Sequence, residues 1–109
     1  MDSEFENIIM TLVVESGSAR SYAMEAIQYA KAGDFEAAKK SLQEADEVVL
    51  SAHHVQTDLI QKEARGEQMP VSLLMLHAQD HLMSALLAID LAKEMVELHE
   101  IIKNHRIEE

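Results

Sequence analysis

Apolar residues recur along this chain at helical spacing, and the pattern breaks in two places. Phe35, Ala38, Leu42, Ala45, Val49, Ala52, Gln56 and Leu59 follow one another at alternating intervals of three and four. That is a heptad seam with one polar member, and it predicts a long amphipathic helix. Gly33 followed by Asp34 supplies a helix stop and then the next N-cap. Gly66 supplies a second stop, and Pro70 is placed for the first turn of a third helix. Ser3-x-x-Glu6 reads as a capping box that opens the first helix. Gly17, inside the first helical pattern, is expected to be a close-packing position or a kink. The spacing thus predicts helices over residues 3–32, 34–65 and 70–104. Each would be about 45 Å long at a rise of about 1.5 Å per residue. Connections this short force antiparallel neighbours, so the expected fold is all-α, an up-down-up antiparallel three-helix bundle over residues 1–109 as one domain.

The third helix differs from the other two. Between Val71 and Ala92 the only charged residues are Asp80 and Asp90, and Leu, Met and Ile spread around the whole cylinder. One helix of a three-helix monomer buries one stripe, whereas a helix that is apolar all round must be covered on its other faces as well. Self-association through this helix explains the pattern better than a large Met-rich core alone.

Composition agrees and narrows the partners. Ala, Leu, Glu, Lys, Met and Gln dominate, and aromatic residues make up only 4%, which favours helix over sheet. The chain carries 20 acidic against 9 basic residues and a formal charge of −11, which disfavours nucleic acid and anionic membrane surfaces as partners. Cysteine is absent, so disulfides, Cys-ligated metal and a Cys nucleophile are excluded within the chain. No apolar run is long enough to span a bilayer. The first 15 residues hold Asp2, Glu4, Glu6 and Glu15 and no Lys or Arg, unlike a signal peptide, so the expected compartment is the cytoplasm.

The apolar third helix contains a polar constellation, His77-Ala78-Gln79-Asp80-His81. At about 100° per residue, Leu73, His77, Asp80, Ser84, Leu87, Leu91, Met95 and Leu98 fall within an arc of about 80°. His77 and Asp80 therefore share an otherwise mainly apolar stripe, and no Lys or Arg lies nearby in sequence to pair with Asp80. A buried carboxylate needs a proton, a partner or a metal, so another helix, another chain or solution must satisfy it. Three readings compete. His77 and Asp80 are bonded to each other or face solvent; His77 and His81, four residues apart, hold zinc; or His77 is a nucleophile for phosphoryl groups. The zinc reading lacks the Glu of an H-E-x-x-H helix, since Ala78 stands there. His53-His54 is a dipeptide whose rings diverge, and His99 and His105 sit in a charged stretch expected to be solvated. The terminal 107–109 segment is expected to fray, and no Gly-rich phosphate loop is present.

The string from Val71 to Met83, with His77-Ala78-Gln79-Asp80-His81-Leu82-Met83 at its heart, resembles the IIA component of the lactose/cellobiose class of the bacterial phosphoenolpyruvate-dependent sugar phosphotransferase system. Ser18-Ala19-Arg20-Ser21, the turn from Ala32 to Ala38, Ala52-His53-His54-Val55-Gln56-Thr57 with Leu59-Ile60, and Glu97-Leu98-His99-Glu100 extend the resemblance over nearly the whole chain. His54 departs from it, where a more ordinary side chain is expected.

The resemblance implies a mechanism. Such proteins are homotrimers, with three copies of the third helix around the axis. His77 would take a phosphoryl group from the phosphocarrier HPr and pass it to a Cys of the IIB component, which phosphorylates the sugar as the membrane IIC component imports it. Asp80 and its two symmetry mates would bind a divalent cation, taken as Mg2+. The expected sugar is a β-linked disaccharide, of the cellobiose or chitobiose branch rather than the lactose branch. Gln79 and His81 are candidates for hydrogen bonds to the phosphoryl group. Two alternatives remain: a histidine phosphotransfer module of two-component signalling, and a non-catalytic metal-binding bundle. The first usually has Lys and Gly shortly after its His, where Asp80, His81 and Leu82 stand here.

Overall fold

The computed structural model describes residues 3–108 as three helices in a rod of 61 × 23 × 20 Å. They are α1 (Ser3–Lys31), α2 (Phe35–Ala64) and α3 (Leu73–Glu108), and no strand occurs among the described residues. α1 begins where the Ser3-x-x-Glu6 pattern puts a helix start.

Both turns follow from their glycines. Gly33 takes φ +85° and Gly66 φ +91°, the left-handed region that a Cβ disfavours. At the first turn, the Asp34 amide donates to the Tyr29 carbonyl at 2.9 Å and the Gly33 amide to Ala30 at 3.0 Å. At the second, Glu67 donates to Lys62 and Gly66 to Glu63. Each pair is a Schellman closure, which satisfies carbonyls that the ending helix leaves free. Asp34 then caps α2, its Oδ1 accepting from the Ala37 amide at 3.1 Å.

The start of α3 differs from expectation. Pro70 lies outside the helix, and Ser72 is the residue that opens it, its Oγ accepting from the Met75 amide at 3.1 Å. The first backbone bond of the helix runs from the Leu76 amide to the Ser72 carbonyl. A serine hydroxyl satisfies an orphan amide of the first turn, which a proline ring cannot do. At the other end, α3 continues through Glu108, four residues past the predicted limit; Glu109 lies outside the described residues.

α1 packs along both other helices, whereas α2 and α3 meet each other less. The α2 seam is buried as the heptad predicts, at Ala38, Leu42, Ala45, Val49, Ala52 and Leu59. Alanines line all three contact faces: Ala19, Ala23, Ala26 and Ala30 of α1, and Ala78, Ala85 and Ala92 of α3. Small side chains let the helix axes approach closely and leave Ile9, Leu12 and Leu82 as the largest fully buried side chains. Among the described residues Gly17 performs neither expected role: beyond its own stretch of helix, no atom comes within 4 Å of where a Cβ would stand, and α1 runs through it as unbroken helix.

The opposite face of α3 stays uncovered. Leu73, Leu76, Leu87, Leu91, Leu98 and Ile101 are exposed along nearly its full length. A mainly apolar stripe of this length on a chain of this size is the pattern of an interaction surface.

Candidate functional site

His77 and Asp80 both sit on that exposed stripe, near the start of α3, so a single chain buries neither. The bond considered between them is not made. His77 instead faces His81 one turn on, Nε2 to Nε2 at 3.0 Å, with ring centroids 4.5 Å apart and the rings nearly perpendicular. One ring nitrogen must donate and the other accept, so that contact holds a single proton between the two rings. The i, i+4 spacing of a helix puts the two rings over one another.

Asp80 forms no ion pair among the described residues. Nor do three or more His, Asp or Glu side chains of one chain converge as metal ligands among those residues. A His77–His81 zinc site would therefore need ligands beyond the described residues of one chain.

The inner flank of the site is fixed by amides. Gln56, the polar member of the α2 seam, donates from Nε2 to Gln79 Oε1 at 2.7 Å and also approaches Met83 Sδ at 3.6 Å. Gln79 Nε2 in turn lies 3.6 Å from Met75 Sδ. Gln79 is half-buried and committed to this array, which locks α2 against the α3 turn that carries His77. The outer flank is apolar: Leu73, Leu74, Leu76 and His77 line an open depression of about 680 Å³. Beside it, Ile60, Met69, Val71 and Leu76 edge a smaller one of about 210 Å³. An exposed imidazole thus stands between a hydrophobic rim and a polar anchor.

The family model for the lactose/cellobiose-specific IIA subunit of the phosphotransferase system matches residues 7–100. The chain belongs to this family. It is 52% identical over 106 residues to the lichenan-specific phosphotransferase enzyme IIA component of Bacillus subtilis, covering 97% of this chain and 96% of that protein. Its fold matches the crystal structure of the cellobiose-specific enzyme IIA of Bacillus anthracis with a TM-score of 0.90, at 45% identity and 95% coverage of both chains. It matches the IIA(chitobiose) chain solved in complex with HPr from Escherichia coli with a TM-score of 0.80, at 45% identity, covering 94% of this chain and 99% of that one. As a IIA chain it is a sugar-specific phosphotransfer component.

The remaining histidines of this IIA chain divide. His53 and His54 are exposed on α2 beside Leu50 and Asp58, and His105 is exposed as expected. His99, expected to be solvated, is half-buried in the groove between α1 and α3. The Gln56–Gln79 bond has no signal in the sequence beyond Gln56 as the polar break in the seam. No helix of the described residues is long and apolar enough to cross a membrane.

Proposed function

We propose that His77 accepts a phosphoryl group from HPr and passes it to a Cys of the IIB component, supporting uptake of a β-linked disaccharide of the cellobiose or chitobiose class. The observation that carries this reading is an exposed His77 that contacts His81 and lines an apolar depression with Leu73, Leu74 and Leu76. The relative solved with HPr supports the donor, and relatives named for lichenan and cellobiose support the sugar class.

The chemistry balances without further reagents. A lone pair on a His77 ring nitrogen forms an N–P bond while the bond from phosphorus to the donor breaks, and the donor's leaving atom keeps that electron pair. The IIB thiolate then attacks phosphorus, and His77 leaves with its own pair. If the N–P bond forms at Nε2, the contact with His81 opens, and the freed His81 nitrogen faces the phosphoryl oxygens as a hydrogen-bond donor. Catalysis is then mainly in-line positioning by the docked partners, with the apolar rim limiting hydrolysis.

The active form in this reading is a homotrimer, three α3 stripes meeting at one axis in a nine-helix bundle. Asp80 is then one of three converging carboxylates, which repel one another when bare. Oxygen donors on the axis fit a hard divalent cation such as Mg2+, with water completing its shell. Bound there, the cation would supply charge neutralisation at the trimer axis. A relay fed from phosphoenolpyruvate places the chain in the cytoplasm.

The test is a chase. The chain is loaded with labelled phosphoryl from phosphoenolpyruvate through Enzyme I and HPr, separated, and mixed with IIB. Label moving to IIB, and not to a IIB variant with its Cys replaced by Ser, is the expected result. Label that stays on this chain contradicts the transfer to IIB, and label that never reaches it contradicts the relay and favours the non-catalytic bundle.

A further inference from the structure

The geometry points to a specific ionic contact between subunits: Arg20 and Lys31 on one chain receive Asp90 and Glu97 on α3 of the next. This rests on the trimer proposed above and adds the contact that sets how its subunits are rotated against one another.

α1 and α3 run parallel in the up-down-up bundle, and their outer junction is a groove of about 540 Å³. Leu87, Leu91 and Met95 form its α3 wall, and Arg20, Met24 and Lys31 its α1 rim. The other flank of α3 belongs to α2, shown by the Lys93–Asp46 and Gln56–Gln79 bonds. When three parallel α3 helices surround one axis, the α1-side flank of each must face the α2-side flank of its neighbour, a heterologous contact that closes after three steps. At about 100° per residue, Asp90 and Glu97 lie about 80–100° from Asp80 on the α2 side, one heptad apart. With Glu94, which lies about 40° from Asp80 on the same side, they are the acidic charges that each α3 presents to the groove of the next chain.

Arg20 and Lys31 both line this groove, about 16 Å apart along α1, while Asp90 and Glu97 stand about 10 Å apart along α3, a difference that the long Arg and Lys side chains can span. Lys39, Lys62, Arg65 and Lys93 each pair with a carboxylate of their own chain, whereas Arg20, Lys31, Asp90 and Glu97 form no ion pair among the described residues. A chain of charge −11 repels its own copies, so a basic groove facing an acidic edge is where that repulsion is offset. The apolar walls lower the local dielectric and strengthen the attraction. The same rotation sets Met83 and the Gln56 anchor of one subunit across the groove from the next subunit's His77.

Sedimentation equilibrium of the full chain at about 50 mM and about 500 mM NaCl tests this, since salt at the higher level screens such pairs. Arg20→Glu and Asp90→Arg should each raise the trimer dissociation constant at least about tenfold at low salt, because like charges then face each other at three interfaces per trimer. The double variant should return to within about threefold of wild type, the signature of a direct pair. Lys31→Glu and Glu97→Lys form an independent second cycle, with helicity by circular dichroism confirming that each variant is folded. Single variants that associate like wild type, or doubles as weak as their singles, overturn the pairing. A wild type that stays monomeric overturns the assembly itself.

Discussion

Leu87→Ala isolates the role of the uncovered α3 stripe. In the single chain Leu87 keeps 59% of its surface exposed, so the monomer gains little from it. Truncation at a free surface changes stability by no more than about 0.5 kcal/mol. In a trimer the exposed part is covered by neighbouring helices. Full burial of a Leu contributes about 1.5–3 kcal/mol, so covering that remaining share contributes about 1–2 kcal/mol per chain. Three chains lose most of that together, about 3–5 kcal/mol, which weakens the trimer constant about a hundred- to several-thousand-fold. Sedimentation equilibrium across a concentration series reads the constant, and far-UV circular dichroism checks that helicity is kept. A variant that trimerises as tightly as wild type would remove the stripe from the interface. A variant that loses its helices at all concentrations would mean that Leu87 supports the monomer instead.

Asp80→Leu should keep or tighten the trimer and abolish any response of its stability to chelator, because three repelling carboxylates become apolar packing on a stripe of Leu; a strictly monomeric Asp80→Leu variant at micromolar concentration contradicts the axial placement. Gly33→Ala should destabilise by about 1–2 kcal/mol, since φ is +85° there, whereas the Lys103 Nζ that the new Cβ meets at 3.1 Å is a flexible tip that can move aside. An unchanged melting temperature would show that the turn relaxes without cost. Tyr29 should titrate above its ordinary value of 10.0, because its hydrogen bond to Glu25 and the Glu25 charge both favour the protonated phenol. That contribution is complete below the unfolded-state pKa and is lost as pH rises through the raised folded value. Alkaline absorbance titration in a Tyr22→Phe background should show the shift collapse in Glu25→Ala, and a shift that persists there refutes Glu25 as its cause.

Much of this fold is legible from local rules. The two Schellman turns follow from Gly33 and Gly66, and the buried face of α2 follows from its heptad. The start of α3 departs from expectation because Pro70 carries a strong N-terminal signal, while the cap at Ser72 has Met75, and no acidic residue, three positions on. The stripe holding His77 and Asp80 follows from helical periodicity, but the 3.0 Å contact went to His81, because side-chain rotamers decide which neighbour a ring meets. The Gln56–Gln79 bond joins two helices across 23 positions, and nothing in either local pattern announces it. A Cβ at Gly17 would meet no other element among the described residues, so helical periodicity alone does not say why a glycine stands there. The pairing of Arg20 and Lys31 with Asp90 and Glu97 needs the packed order of α1, α2 and α3 around the bundle, which no single helix encodes.

The most direct measurement is phosphoryl uptake from phosphoenolpyruvate with Enzyme I and HPr, read by intact mass on wild type and His77→Gln. One acid-labile phosphoryl group per chain on wild type and none on the variant is the predicted result, with both proteins equally helical and equally associated. Equal uptake by His77→Gln would assign the chemistry to another residue, and no uptake by wild type would mean a chain that keeps the IIA fold without its phosphoryl chemistry.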